Sequence, residues 1–368
     1  VNDLTDFRIH CTRFLDATGK PVADLPPIAS DPAALLELYR GMLFTRAFDK
    51  KAIALQRTGQ LGTYASCLGQ EAIGVGLGHA MRPEDVLFPY YRDYAAQFQR
   101  GVTMAEILVY WGGDERGMDY AGCREDFPIC VPIASQCCHA IGVAYAFKLR
   151  REARVAVCTI GDGGTSKGDF YEALNAAGVW QLPIVFVVNN NQWAISVPRE
   201  QQSAAQTLAQ KAVAAGFCGE QVDGNDVIAV RQVVGRALEA TRAGEGPQLI
   251  ECLSYRLGDH TTADDASRYR SPAEVEAHAA YDPLIRLHKY LIYNGFLNDI
   301  DEAALTQAAA KAVELAVKDY LQTPAPAPEA MFDHLYAQLP AAYQEQRAEV
   351  ARGIEQTQEA SYAAAHAR

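Results

Sequence analysis

The sequence predicts an α/β protein: a doubly wound, mainly parallel sheet flanked by helices, with an N-terminal arm and a C-terminal helical extension. Two observations carry this. Short apolar runs with β-branched residues ("DVLFPYY", "RVAVCTI", "LPIVFVVNN" and "PQLIECLSY") recur between Asp85 and Tyr255, and helical stretches lie between them. Runs of this kind suit strands buried on both faces, and strands alternating with helices make parallel sheets. With 368 residues, 49% of them apolar, the chain has material for a large core.

Residues 1–29 carry prolines and no periodicity, and they read as an arm. Ser30-Asp31-Pro32 then starts a helix, with a capping side chain ahead of a proline that needs no amide partner. The following stretch, "AALLELYRGMLFTRAFDKKAIALQRTG", has apolar residues at three- and four-residue spacing and stops at Gly59. A second helix over Gly69–Met81 is built of small residues suited to close packing. With the helical tail after Thr323, it is an expected contact surface for another chain. The α/β domain is expected over 30–274 and the helical extension over 275–368. That extension contains "DPLIRLHKYLIYNGFL", an alanine-rich helix near 302–321, and a stiff proline-rich connector, "TPAPAPEA".

Composition excludes several classes of function. A net charge of −12 and a pI near 5.2 argue against a nucleic-acid or anionic-membrane surface. Nine scattered cysteines without CxxC spacing point to reduced, mostly buried thiols rather than a zinc site or a disulfide scaffold. No apolar run reaches the ~20 residues that span a bilayer, and the N-terminus lacks a signal-peptide pattern. A cytoplasmic protein is expected.

One turn raises a chemical question. The strand Arg154–Ile160 runs into Gly161-Asp162-Gly163-Gly164, then a helix whose apolar stripe is Phe170, Ala173, Leu174 and Ala177, with Ser166 and Asp169 at capping-box spacing. The next strand, Leu182–Asn189, leads to "NNQWAIS". In a βαβ unit both strands end at the same sheet edge, so Asp162 and Asn191 should meet although 29 residues apart. Glycine-rich turns at that edge hold phosphate, yet a bare carboxylate repels it. The turn lacks the last glycine of the dinucleotide fingerprint, and no lysine follows Gly168 as a P-loop requires.

A divalent cation resolves the conflict. Mg²⁺ takes about six oxygens, one or two from protein carboxylates and others from substrate phosphates. Asp162 would give a carboxylate, Asn191 an amide oxygen and Trp193 a backbone carbonyl, with a helix amino end behind Gly163 facing the phosphates. Read without a metal, the same residues are a tight strand-to-helix turn and a polar loop.

Gly161-Asp162-Gly163, 26 intervening residues and then Asn190-Asn191 resembles the two-part thiamine diphosphate motif. "YYRDY", "VDGND" and "YRLGDHTTADDASRYRS" narrow the resemblance to alpha subunits of the decarboxylating component of 2-oxo acid dehydrogenase complexes, over roughly Leu35 to Leu339. The resemblance implies a thiamine diphosphate–Mg²⁺ site with Asp162, Asn191 and the Trp193 carbonyl on the metal. It places Tyr91 and Arg92 at the cofactor and its diphosphate, and Val131 and Ile133 beside the aminopyrimidine. Gly161, Gly163 and Gly164 fall in the cofactor turn, and His260 near the reactive carbon as a catalytic residue. The loop around His260 should order over bound cofactor. Two departures stand out: Asn189 precedes the Asn pair where relatives often carry a charge, and Asp114–Gly122 has no histidine.

The activity so implied is decarboxylation of a 2-oxo acid and reductive transfer of the acyl group to a lipoyl arm of the acyltransferase component. Pyruvate is the expected substrate, ahead of branched-chain 2-oxo acids and acetoin. The beta subunit would supply the activating glutamate, in an α₂β₂ heterotetramer, and the chain alone should be inactive. The competing reading from another class is a noncatalytic subunit that binds a metal–phosphate ligand. A haloacid-type phosphatase is excluded, because its DxDx[TV] motif is missing.

Overall fold

The computed structural model describes residues 7–366; the first six residues of the expected arm and the last two of the expected extension lie outside them. The contacts group the chain into two compact units, divided between Leu321 and Gln322.

In the first unit the strands are β1 (Cys11–Thr12), β2 (Val86–Phe88), β3 (Ala156–Gly161), β4 (Ile184–Asn190), a hairpin of β5 (Trp193–Ala194) and β6 (Val197–Pro198), β7 (Cys218–Asp223) and β8 (Gln248–Leu253). The helices are α1 (Pro32–Arg57), α2 (Glu71–Ala80), α3 (Tyr94–Gln99), α4 (Met104–Trp111), α5 (Ser135–Arg150), α6 (Gly168–Trp180), α7 (Arg199–Gln202), α8 (Gln210–Ala214), α9 (Val227–Arg242), α10 (Pro272–Ala279), α11 (Pro283–Tyr293) and α12 (Asp299–Gln322). The second unit carries α13 (Ala341–His366).

Six strands pair in the order β1-β7-β8-β4-β3-β2, all parallel. Alternation along the central strands divides the core in two. Ala156, Cys158, Ile160, Phe186 and Val188 face α5 and α6, packing on Phe147, Phe170 and Leu174. Val157, Val185, Val187 and Ile250 face α2 and α9, packing on Leu77, Val230 and Val234. The sheet is thus covered on both sides, as expected.

Asp31 caps α1 through the amides of Ala33 and Ala34, ahead of Pro32, a device that contributes about 1 kcal/mol. The stripe Phe170, Ala173, Leu174 and Ala177 is buried as its spacing requires. The capping box at Ser166 does not form. Residues 162–166 are a 3₁₀ turn, α6 starts at Gly168, and Asp169 pairs with Lys167 at 2.7 Å. The amino end of α6 therefore does not lie directly behind Gly163. A tighter turn takes that place, because Thr165 closes it onto the Asp162 carbonyl at 2.7 Å.

Two further readings are corrected. The arm supplies the edge strand β1, and Phe14 and Leu15 donate their amides to Asp226, which also caps α9. A two-residue strand is too short to show an alternation, so its pairing was not legible. Helix α2 is not an outward contact surface but a core helix. A Cβ added at Gly74 would lie 2.6 Å from the Ala95 side chain, and one at Gly76 2.8 Å from that of Val230. Its glycines serve close packing on the chain's own α3 and α9.

Among the cysteines, Cys67, Cys137, Cys158 and Cys252 are buried and all nine are unpaired. Cys11, Cys138 and Cys218 are exposed, so burial holds for fewer of them than expected. No helix among the described residues is long and apolar enough to cross a membrane.

Asp93, buried at the start of α3, accepts from the Tyr90 amide at 2.9 Å and from the Thr159 hydroxyl. Burial pushes its pKa up to about 7, against the pull of these two hydrogen bonds. The folded chain thus binds the proton more tightly than the unfolded chain, whose aspartate titrates near about 3.9. This contribution to stability is complete below about pH 4 and lost as pH rises through about 7. Asp93→Asn should flatten that part of the profile; calorimetric Tm values of both proteins between pH 4 and 8 check it, and parallel profiles would refute it.

Candidate active site

The site begins with the register of two strands. Gly161 lies opposite Asn189, so the chains leaving β3 and β4 emerge side by side at the carboxyl edge of the sheet. This is where ligands bind in open α/β sheets. After β3 comes the 162–166 turn. After β4 the backbone reverses through Gln192 (φ 71°) and Ile195 (φ 56°), left-handed conformations that non-glycine residues adopt rarely. The reversal folds β5 and β6 back over the turn, where a Cβ on Gly163 would lie 2.7 Å from that of Ala194.

Oxygen atoms gather at this junction. Asp162 is 4% exposed, and its Oδ2 has no hydrogen-bond partner. Burial raises its pKa to about 6, while nearby backbone amides and the charge of Arg256 oppose the rise. Asn191 donates its Nδ2 to Gln70 Oε1 at 3.1 Å, which fixes the amide so that Oδ1 is the acceptor. Oδ1 takes the Trp193 amide at 3.2 Å. The Trp193 carbonyl receives Arg256 Nη1 at 3.3 Å. No cluster of three or more His, Cys, Asp or Glu side chains suited to a metal occurs among the described residues. A cation here would rely on one carboxylate, neutral oxygens and the ligand's own oxygens. That is the donor set of Mg²⁺ bound with a phosphate ester. The orphaned Oδ2 and the hard oxygen donors fit such an ion.

Arginines surround the other side. Arg92, 3% exposed, donates to Ser66 O at 2.5 Å and His260 O at 2.6 Å. Its Nη2 also lies 3.0 Å from His260 Nδ1, and Arg256 Nη1 lies 3.4 Å from the same atom. Arginine only donates, so Nδ1 is the acceptor and neutral His260 carries its proton on Nε2. Burial, then Arg92 and Arg256, lower the His260 pKa to about 4. Hydrogen bonds within the chain fasten the loop around His260. Thr262 and Tyr64 exchange hydrogen bonds, Asp264 takes the His260 amide and the Tyr269 hydroxyl, and Arg270 binds the carbonyls of Arg256 and Gly258.

Tyr91, Arg92, Val131, Ile133, Gly161, Asp162, Gly163, Gly164, Asn191, Trp193 and His260 all line one cavity of about 720 Å³. Val131 and Ile133 stand 47% and 41% exposed on its wall, not in the core. Asn189 does not reach the cavity: it donates to the Tyr90 hydroxyl at 2.6 Å and accepts from Ser254 at 3.1 Å. It stiffens the strand edge in place of a charged ligand contact.

Sequence reasoning missed several contributors. Arg256 sits four residues before His260, but in an irregular loop that spacing carries no signal. Gln136 and Gln202 gave no signal, because single glutamines have no pattern. Gln136 donates to Thr159 O at 2.8 Å and Gln202 to Gly163 O at 2.9 Å; both line the cavity with a buried, unpartnered Oε1.

A cleft at the carboxyl edge of a parallel sheet, with a glycine turn and one unpartnered carboxylate oxygen, has the form of a cofactor site, and comparison narrows it. Residues 39–329 match the family model described as dehydrogenase E1 component, and the chain belongs to that family. It is 42% identical over 320 residues to the 3-methyl-2-oxobutanoate dehydrogenase subunit alpha of Mycobacterium tuberculosis, covering 86% of this chain and 87% of that one. It is 38% identical over 342 residues to the pyruvate dehydrogenase E1 component subunit alpha of Staphylococcus aureus, covering 92% of each. The corresponding subunit from Staphylococcus epidermidis is also 38% identical, over 338 residues and 91% of each chain. At this level the chain is an alpha subunit of a 2-oxo acid dehydrogenase E1 component, an oxidoreductase.

After burial, the two arginines are what hold the His260 pKa down. Arg92→Met removes the cation nearest the ring, so the His260 pKa should rise from about 4 toward the ordinary range. Histidine ring NMR of the purified chain across pH 3–8 reads this directly; an unmoved titration would refute the assignment.

Proposed function

We propose that this chain binds thiamine diphosphate with Mg²⁺ and, joined to a beta subunit, decarboxylates pyruvate and passes the acyl group to a lipoyl-bearing acyltransferase. The observation that carries the reading is the buried, unpartnered Oδ2 of Asp162, in a glycine turn that lines one cavity with Asn191 and Trp193. When bound, thiamine diphosphate supplies a nucleophilic carbon and an electron sink for loss of CO₂. The protein's part is to hold and orient. Asp162, Asn191 Oδ1 and the Trp193 carbonyl hold the metal, while Gly161, Gly163 and Gly164 let the backbone approach the diphosphate. Arg92 would meet the diphosphate through Nη2 on release of the His260 carbonyl, while Nη1 stays on the Ser66 carbonyl. Tyr91, Val131 and Ile133 wall the organic end, and His260 holds a proton at Nε2 that it can lend or reclaim.

A second substrate reading, 3-methyl-2-oxobutanoate, is favoured by the relative at 42% identity. The nine unpaired thiols support a reducing, cytoplasmic setting. For the beta subunit we assign the outer face of α5 and α6. Tyr145, Leu149, Val179 and Trp180 stand 41%, 66%, 68% and 48% exposed there, and the Tyr145 and Trp180 rings lie 5.2 Å apart. An apolar patch of this kind marks an interface.

Three experiments test the reading. Asp162→Ala should abolish Mg²⁺-dependent thiamine diphosphate binding in calorimetry while the circular dichroism spectrum is kept; wild-type affinity would sink the metal assignment. Steady-state kinetics of the chain co-expressed with its beta subunit should show a higher kcat/KM for pyruvate than for 3-methyl-2-oxobutanoate, and no turnover by the chain alone. In the same assay, Val179→Asp should lower activity in step with the loss of the α₂β₂ species in sedimentation. The reverse substrate order would establish the branched-chain reading.

A further inference from the structure

Lys211, on α8, is a buried lysine, 6% exposed. None of the ion pairs among the described residues includes it. Its ammonium instead donates to Thr165 O at 2.7 Å and Thr165 Oγ1 at 2.9 Å, and it lies 5.0 Å from the centre of the Tyr171 ring. Thr165 Oγ1 in turn donates to the carbonyl of Asp162 at 2.7 Å. A hydrogen-bonded line thus runs from a buried cation through one threonine to the backbone of the residue with the orphaned carboxylate oxygen.

Burying an ammonium without an anion is costly, and most lysines avoid it. The cost is explicable where the charge is matched by something the folded chain later receives. With Mg²⁺ and diphosphate on this turn, the carboxylate and phosphate charges together exceed that of the metal. A cation beneath the turn then offsets the excess. The geometry also suits a mechanical task. The 162–166 turn lacks a side-chain cap and is crossed by β5 above, while Lys211 and Gln202 are the side chains that tie down its carbonyls at Thr165 and Gly163.

We propose that Lys211 is a positioning residue for the metal-binding turn: acting through Thr165, it fixes Asp162 before any ligand arrives and balances the anionic group bound there. The cofactor part rests on the reading of Asp162 as a metal ligand; the fastening of the turn does not.

The test separates the two. Hydrogen exchange of the full-length, ligand-free chain should show the amides of residues 162–166 exchanging at least tenfold faster in Lys211→Met, with β3 and β4 unchanged. In the complex with the beta subunit, calorimetry with thiamine diphosphate and Mg²⁺ should show binding about tenfold weaker. Thr165→Val keeps the lysine and should reproduce both effects, and the double variant should be no worse than either single one. It also carries the test should Lys211→Met fail to fold. Exchange at the wild-type rate in the turn, or faster exchange throughout β3 and β4, would overturn the proposal. Additive losses in the double variant would overturn the relay through Thr165. If Asp162→Ala binds cofactor normally while the turn still loosens in Lys211→Met, the cofactor reading fails and the positioning role stands.

Discussion

Everything at the site depends on the parallel pairing of β3 with β4 in one register. Gly161 opposite Asn189 is the constraint that brings two segments of a βαβ unit together at one sheet edge. A slip of one residue would turn every side chain of β4 to the opposite face. Phe186 and Val188 would leave the core under α6, and Val185 and Val187 would leave the core under α9. The two apolar layers therefore fix the register, and the register fixes the spacing of Asp162 and Asn191. Packing energy spread over many buried side chains is converted into the position of two polar ones.

The buried carboxylates show how unusual Asp162 is. Asp49 accepts from the hydroxyls of Tyr64 and Ser66 and the amide of Cys67, pinning the loop after α1. Asp226 accepts four backbone amides and holds the arm to α9. Asp85 takes Nη2 of Arg242 on both its oxygens and the amide of Val155. Glu251 gathers Asn190, Ala209 and Gln221 behind the sheet edge. Each is a staple with its lone pairs occupied, as burial demands. Asp162 Oδ2 is the exception, and exceptions of this kind collect where a ligand completes the coordination.

The cationic side of the cleft follows a different logic. Arg92, Arg256 and Arg270 are buried and largely committed to backbone carbonyls, so they act first as fasteners of the loop around His260. Burial first, then the field of Arg92 and Arg256, keeps His260 neutral. An anion entering the cleft would compete with the His260 carbonyl for Arg92 and would reduce that field. Binding, the position of the loop and the protonation of the imidazole would thereby be coupled through one guanidinium.

How much of this was legible in the sequence differs from residue to residue. The alternation of apolar strands and helices, the cap at Asp31 and the glycine turn with its distant Asn pair were readable, because each depends on neighbours along the chain or on a motif. The chain by itself thus determined the fold class, the sheet edge and part of the lining of the cleft. It did not reveal that α2 is a core helix, that the arm closes the sheet, or that the turn before α6 is 3₁₀. Nor did it single out Gln136, Gln202, Arg256 or Lys211. Those were decided only by the tertiary structure, because hydrogen bonds and van der Waals contacts act over a few ångströms in space, whatever the separation along the chain. A lysine 46 residues beyond Thr165 has no local signature; it acquires a role only when α8 is packed beneath the turn.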